Sequence, residues 1–357
     1  MKKLFLSNTH ESLNAKMVDY AGFYMPVQYD GVISEHLSVR NNVGVFDVSH
    51  MGEIFVSGEG AKEFLQYITS NDISKLVDGK VQYSCLPNLE GGIIDDILVY
   101  MINATSFMLV VNASNIEKDL AWLNTHNSYD CKIDDKSNQY SLLAVQGPNS
   151  LELLKELTTI DLTTLNYYRF LRGNISGIED VIISRTGYTG ELGFELYVLN
   201  ENVLSVWNSL FSTQVDLKPI GLAARNTLRL EKGFCLYGND INDNTSPLEA
   251  GLGWITKLST NFINSKNLLK QKQEGLQKKL VGFEVLDKGI ARKDYKVLDK
   301  DKNNIGVVTS GTMSPSLNKA VGMAYIDIKF TNVNQEVFIE VRNKFILAKI
   351  IVLPFVD

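Results

Sequence analysis

From Lys278 onward the sequence changes character. The runs LVGFEVL, YKVLD, NIGVVTSG, AVGMAYI, EVFIEVR and FILAKIIVL follow one another, broken by Gly, Asn and Asp. Short apolar, β-branched runs bounded by turn formers are strands rather than helices. Strands in such close succession, with no helical period between them, must close on one another to bury their apolar faces. We therefore expect an all-β barrel over residues 278–357, entered through LLKQKQEGLQKK (268–279), a polar helix and linker.

The preceding part is mixed. β-type runs at 53–57, 93–102, 107–111, 140–145, 180–185 and 194–199 are interleaved with helical periods. After Gly60, residues Ala61, Phe64, Leu65 and Ile68 fall on one helical face. After Ser114, so do Ile116, Leu120 and Leu123, with Ser114 and Glu117 spaced as a capping box. Further helices are expected at 149–157, through Val203, Trp207 and Leu210, and from Pro219 to Lys232, where Gly233 stops the last one. Strands paired with helices of about 10 residues give an α+β fold of sandwich type.

Composition excludes several functions. With 35 Lys plus Arg against 41 Asp plus Glu, the net charge is −6. That argues against a broad surface for nucleic acid or anionic membrane, so an anionic ligand must be met by a local arginine or lysine. Cys85, Cys131 and Cys235 are far apart, odd in number and without a CxxC pair, which suits a reducing cytoplasm. The start carries only Leu4, Phe5 and Leu6 before polar residues resume, and no run approaches the ~20 apolar residues of a membrane span. A soluble cytoplasmic protein is expected.

Cofactor signatures are missing. Gly187, Gly190 and Gly193 recur every third residue in GYTGELGFE, but the spacing is not GxGxxG and a strand follows. No GxxxxGK[ST] loop occurs, and none of His10, His36, His50 and His126 has a partner at metal-ligand spacing, so no metal site is expected. What remains is a set of polar residues in apolar or Gly-rich settings. In GGIIDDILVY (91–100), Asp95 and Asp96 must face opposite sides of a strand. Either the glycines turn a hairpin and both acids sit at its solvated rim, or one acid faces something that needs it. Glu195 in GFELYV could be a solvent-facing acid of a one-sided sheet. Arg225 and Arg229 lie one helical turn apart and repel unless a carboxylate or anion shares them, with Glu231 available for a structural bridge. Tyr83, Tyr188, Tyr237, Trp254 and Met51 flank these positions, and Cys235 reads as buried and inert.

In order along the chain, AGFYMPVQY, VGVFDVSHMGEI, GGIIDDILVY, VVNASNIEKD, LAVQGP, RTGYTGELGFELYV, GLAARNTLRLEKGFCLYGNDI, PLEAGLGW and VTSGTMSPSL together resemble the aminomethyltransferase, or T-protein, family of the glycine cleavage system. The resemblance implies two interleaved α/β-sandwich domains plus the C-terminal barrel, in a cloverleaf around a central tetrahydrofolate cavity. It implies a folate-binding region over 1–270, with an inner subdomain near 52–135, and the barrel domain at 278–357. It implies transfer of the methylene of an aminomethyl group, carried on the dihydrolipoyl arm of H-protein, to the co-substrate tetrahydrofolate, with release of ammonia. By the match, Asp96 is the catalytic aspartate and Glu195 takes the pterin's paired N–H donors. Arg225 contacts substrate, and Met51, Tyr83, Asn112 and Tyr188 line the cavity. Asp95 is then expected to turn away, towards backbone donors or solvent near Gly91 and Gly92.

Departures from the family pattern are AARN (223–226), where GARD is frequent, and Asn264 in FIN, where glycine is usual; the tyrosine that follows PFV in several relatives has no counterpart before Asp357. Within the fold, the alternatives are a folate-dependent demethylase and a non-catalytic iron–sulfur maintenance protein. KGFCLYGND places Phe234 where the latter's cysteine belongs. A folate- or H-protein-binding module without catalysis is the reading from a different class.

Overall fold

Each of the six runs past Lys278 becomes one strand. In the computed structural model, which describes residues 1–342 and 344–357, Lys278–Val285, Lys296–Leu298, Asn304–Ser314, Lys319–Asp327, Glu336–Val341 and Lys344–Ile351 form a closed barrel. Lys278–Val285 closes it by pairing with strands on both sides, Gly282 standing opposite Met323 and Ile351. Alternate residues fill the interior: Val281, Phe283 and Val285, then Ala324 and Ile326, Val337 and Ile339, and Ile346, Ala348 and Ile350. The polar segment before it is the helix Ser265–Glu274, ended by Gly275 at φ 87°.

Two larger sheets precede the barrel. One runs in the order Phe170–Ile175, Ile178–Ser184, Gly193–Leu199, Tyr140–Gln146, Gly44–Asp47, Lys218–Pro219. The other runs Lys80–Pro87, Ile93–Asn103, Ser106–Val111, Gly52–Ser57, Lys132–Asp135. Gly44–Asp47 and Tyr140–Gln146 are neighbours, Val45 opposite Val145, and the whole of the second sheet lies in the chain between them. The sheets are thus interleaved in sequence, and the α+β class with a C-terminal barrel is the one expected.

Leu143 and Val145 of one strand, and Phe194, Leu196 and Val198 of its neighbour, form a core with Leu153 and Leu154 of the helix Ser150–Lys155 and Val203, Val206, Trp207 and Leu210 of the helix Val203–Phe211. Alternation puts Glu195 and Tyr197 on the opposite face, and both are buried there. The sheet is covered on both sides, so Glu195 is not a solvent-facing acid.

Two local expectations are corrected. The helix Ile116–His126 is capped at Asn115 after a single 3-10 turn, Ala113–Asn115, so Ser114 lies inside that turn, exposed, and the capping box does not form. The helix expected from Pro219 begins at Leu222, because Pro219 is extended beside Val45 in a short parallel pair. Arg229 forms a structural salt bridge: it is fully buried and donates to Asp240 Oδ2 at 2.6 Å, to Phe234 O at 2.9 Å and to Ser310 Oγ at 2.8 Å. Glu231 accepts from Ser314 Oγ, Ser316 N and Ser316 Oγ, so the serines of VTSGTMSPSL satisfy buried charge.

Contacts divide the chain into two units: Met1–Ile68, Asp72–Ser84 and Asp96–Asn226 in one, and Thr69–Asn71, Cys85–Asp95 and Thr227–Asp357 in the other. The boundary passes between Asp95 and Asp96. Among the described residues no helix is long and apolar enough to cross a membrane.

Candidate active site

The strand Ile93–Asn103 is buried almost throughout, and Asp96 is one of its half-buried positions. Its carboxylate is held at both oxygens: Tyr83 donates its hydroxyl to Oδ2 at 2.8 Å, and Asn112 donates Nδ2 to Oδ1 at 2.9 Å. Asn112 also reaches the Asp96 carbonyl at 3.2 Å. Tyr83 comes from the edge strand Lys80–Pro87 and Asn112 from the end of Ser106–Val111, so the neighbouring strands on both sides fix one acid. Both donors are neutral groups, and between them they hold the carboxylate in a defined place.

Asp95, the preceding residue, is completely buried in the second unit, which removes the solvated alternative. Gly92 lies so close to Asp243 that a Cβ would stand 1.7 Å from its carbonyl oxygen. Asn88 donates to that same carbonyl at 2.8 Å and accepts from Gly92 N at 2.8 Å. The glycines do turn a hairpin: its tip, Leu89 and Glu90, is exposed, while Gly92 at its base packs against backbone.

In the first unit, Glu195 accepts a short hydrogen bond from Thr186 Oγ1 at Oε2. Burial pushes its carboxyl above the usual carboxylate range, while the Thr186 bond and the Arg225 charge pull it back. Arg225 lies with its guanidinium 4.5 Å from the centre of the Tyr188 ring, a cation–π contact. Asn226, which replaces the family's acid, is exposed, and the Arg225 charge is met by Tyr188 and Glu195 instead. Met51 is half-buried in the turn between Gly44–Asp47 and Gly52–Ser57.

The scaffolding of this group is polar and long-range. Tyr188 sits in the loop of RTGYTGELGFE, and the glycines there exist for Gln146: a Cβ at Gly187 or Gly193 would stand 2.0 or 2.3 Å from its amide. Gln146 donates to Thr186 O at 3.2 Å and accepts from Thr189 Oγ1 at 2.9 Å. Arg40 clamps the far side of the loop through Thr189 O at 2.7 Å and Glu191 Oε1 at 2.9 Å. Glu35 is buried and accepts from Tyr29 N, Gly31 N and Gly221 N, at 2.7, 3.0 and 2.7 Å, which fixes the entry to the helix Leu222–Glu231 that carries Arg225. The Met51 turn hangs from Asp47, which accepts from Ser49 N at 3.0 Å and lies 2.9 Å from His10 Nε2.

Tyr237 and Trp254 belong to the second unit; Tyr237 donates to Ile93 O at 3.1 Å and Trp254 is exposed. Sequence reasoning missed His50, a buried imidazole lowered to about 3 by desolvation and by Arg225. It also missed Thr186 and Tyr100 beneath Glu195. The only signal for them was position beside residues already singled out.

The GCVT N-terminal domain matches residues 6–260, and the glycine cleavage T-protein C-terminal barrel domain matches 278–357. An aminomethyltransferase of Flavobacterium psychrophilum is 56% identical over 357 residues, covering 99% of each chain. The chain belongs to the glycine cleavage T-protein family. A second aminomethyltransferase, from Halothermothrix orenii, is 48% identical over 100% of each chain. The solved structure of glycine cleavage system aminomethyltransferase T from Bartonella henselae superposes with a TM-score of 0.93 at 35% identity, covering 99% of this chain and 98% of that one. T-protein family membership makes this chain an enzyme, an aminomethyltransferase, and the demethylase and iron–sulfur maintenance readings are not favoured.

Proposed function

We propose that this aminomethyltransferase takes an S-aminomethyl group from the dihydrolipoyl arm of H-protein and passes its methylene to tetrahydrofolate in the cytoplasm. The carbon–sulfur bond breaks and the sulfur keeps the electron pair, ending as a thiol of the dihydrolipoyl arm. The nitrogen leaves as ammonia, and two nitrogens of tetrahydrofolate bond the methylene, giving 5,10-methylenetetrahydrofolate. No oxidation or reduction occurs, so the protein has to supply only position and charge.

Asp96 is the catalytic residue in this reading. As the carbon–sulfur bond breaks, the methylene and the nitrogen bonded to it take on iminium-like cationic character, and a fixed carboxylate stabilises it without reorganising. Glu195 receives the pterin's ring N–H and exocyclic amine, Arg225 holds substrate, and Met51, Tyr83, Asn112 and Tyr188 form the wall. The observation that carries the reading is the double anchoring of Asp96 by Tyr83 and Asn112.

The test is ammonia release from aminomethylated H-protein with and without tetrahydrofolate. Release that accelerates with tetrahydrofolate and yields the methylene derivative is the expected result. Release indifferent to tetrahydrofolate contradicts the assignment.

A further inference from the structure

Glu195 ends a line of buried hydroxyls. Thr186 Oγ1 bonds its Oε2, Tyr100 OH lies 3.3 Å from Thr186 Oγ1, and Tyr197 OH lies 2.8 Å from Tyr100 OH. Ser184 Oγ stands 2.9 Å from Thr186 Oγ1. Tyr100, Tyr197, Ser184 and Thr186 are at most 2% exposed, and Glu195 is 7% exposed.

Proton bookkeeping gives this line a direction. A threonine hydroxyl has one proton and two lone pairs, whereas an ionised carboxylate only accepts. The Thr186 proton is therefore committed to Glu195, and its oxygen accepts from Tyr100. Tyr100, having donated to Thr186, accepts from Tyr197. The chain Tyr197 to Tyr100 to Thr186 to Glu195 runs one way, and each bond polarises the next towards the carboxylate.

We propose that Thr186, backed by Tyr100 and Tyr197, is a positioning residue that presents Glu195 to the pterin as an ionised carboxylate with a fixed orientation. The inference rests on the folate role of Glu195 given above. A protonated Glu195 offers a donor where the pterin also offers donors, and the bidentate pair is lost. The groups acting electrostatically on Glu195 are Arg225 from the helix Leu222–Glu231, Tyr100 from Ile93–Asn103, Tyr197 on its own strand, and Tyr167 and Tyr168 before Phe170–Ile175. Arg225 is the cation among them, and Thr186 is the hydroxyl that bonds the carboxylate directly.

Tetrahydrofolate affinity of the full chain is measured by calorimetry from about pH 5.5 to 8.5 for wild type, Thr186→Val, Thr186→Ser and Tyr100→Phe. Thr186→Val is expected to weaken binding about tenfold at neutral pH, the usual weight of one hydrogen bond to a charged group. Its acid limb should move about one pH unit upward, with the loss in turnover falling on KM for tetrahydrofolate rather than on kcat. Thr186→Ser restores both, and Tyr100→Phe shifts the limb in the same direction by less. Wild-type affinity and pH profile in Thr186→Val overturns the inference; should that variant not fold, an unmoved profile in Tyr100→Phe overturns it. A wild type that does not bind tetrahydrofolate fails the functional reading itself, which separates the two.

Discussion

Asn264 stands at φ 66°, in the left-handed region, at the start of the helix Ser265–Glu274, and accepts from Asn267 Nδ2 at 2.6 Å. An ordinary L residue costs ~1–2 kcal/mol there, asparagine less and glycine nothing. The departure from the family's glycine is therefore the mildest one open to a side chain. Asn264→Ala should be less stable than Asn264→Gly by about 1 kcal/mol, read as a shift of the urea midpoint at unchanged slope. The same scale shows why two like residues part company. Arg225 and Arg229 are indistinguishable by spacing, yet one stacks on Tyr188 and the other bonds Asp240. Asp95 and Asp96 diverge likewise. A single sequence displays the pairs but not the partners, which come from other strands, loops and turns of the chain.

At the scale of elements, the helix Ala61–Ile68 buries the four residues its spacing marks, and the six barrel strands lie where their runs do. Local periodicity suffices wherever one face is apolar. Lys80–Pro87, which carries Tyr83, is missed because the alternation in VQYSC spans only five residues and breaks off at Leu86 and Pro87. The loop of RTGYTGELGFE was legible as glycine-rich but not as a sleeve around Gln146, since the reason for Gly193 lies on the neighbouring strand. Gly193→Ala should destabilise by ~1–3 kcal/mol through overpacking, and Gln146→Ala by loss of its buried hydrogen bonds. The double variant should cost less than the sum, because the alanine at 193 enters the space the amide vacates. Strict additivity in thermal denaturation contradicts that contact.

Across the whole molecule, two buried groups bias stability against pH in opposite senses. Glu53 has both carboxyl oxygens buried without a hydrogen-bond partner, and burial, with Asp135 nearby, raises its pKa well above 4.5. Below 4.5 it is protonated folded and unfolded alike; as pH rises beyond that, only the unfolded chain ionises, so stability falls. His50 is the reverse. Its pKa drops from 6.5 to about 3, so acidification through that window protonates the unfolded chain first and removes up to ~1.4 kcal/mol per pH unit. Glu53→Gln should flatten the alkaline limb and raise stability at neutral pH, and His50→Asn should flatten the acid limb, both followed by urea unfolding across pH.

In the proposed reaction a single fixed carboxylate, Asp96, carries the chemistry. Opposite charges about 4 Å apart at an effective dielectric near 20 interact by roughly 4 kcal/mol, and each ~1.4 kcal/mol is tenfold in rate. The most direct measurement is the single-turnover rate of tetrahydrofolate-dependent ammonia release from aminomethylated H-protein, wild type beside Asp96→Asn, with folding and folate affinity checked on both. A drop of about a thousandfold with folate still bound is the predicted result. Asp96→Asn turning over at the wild-type rate removes Asp96 from the chemistry.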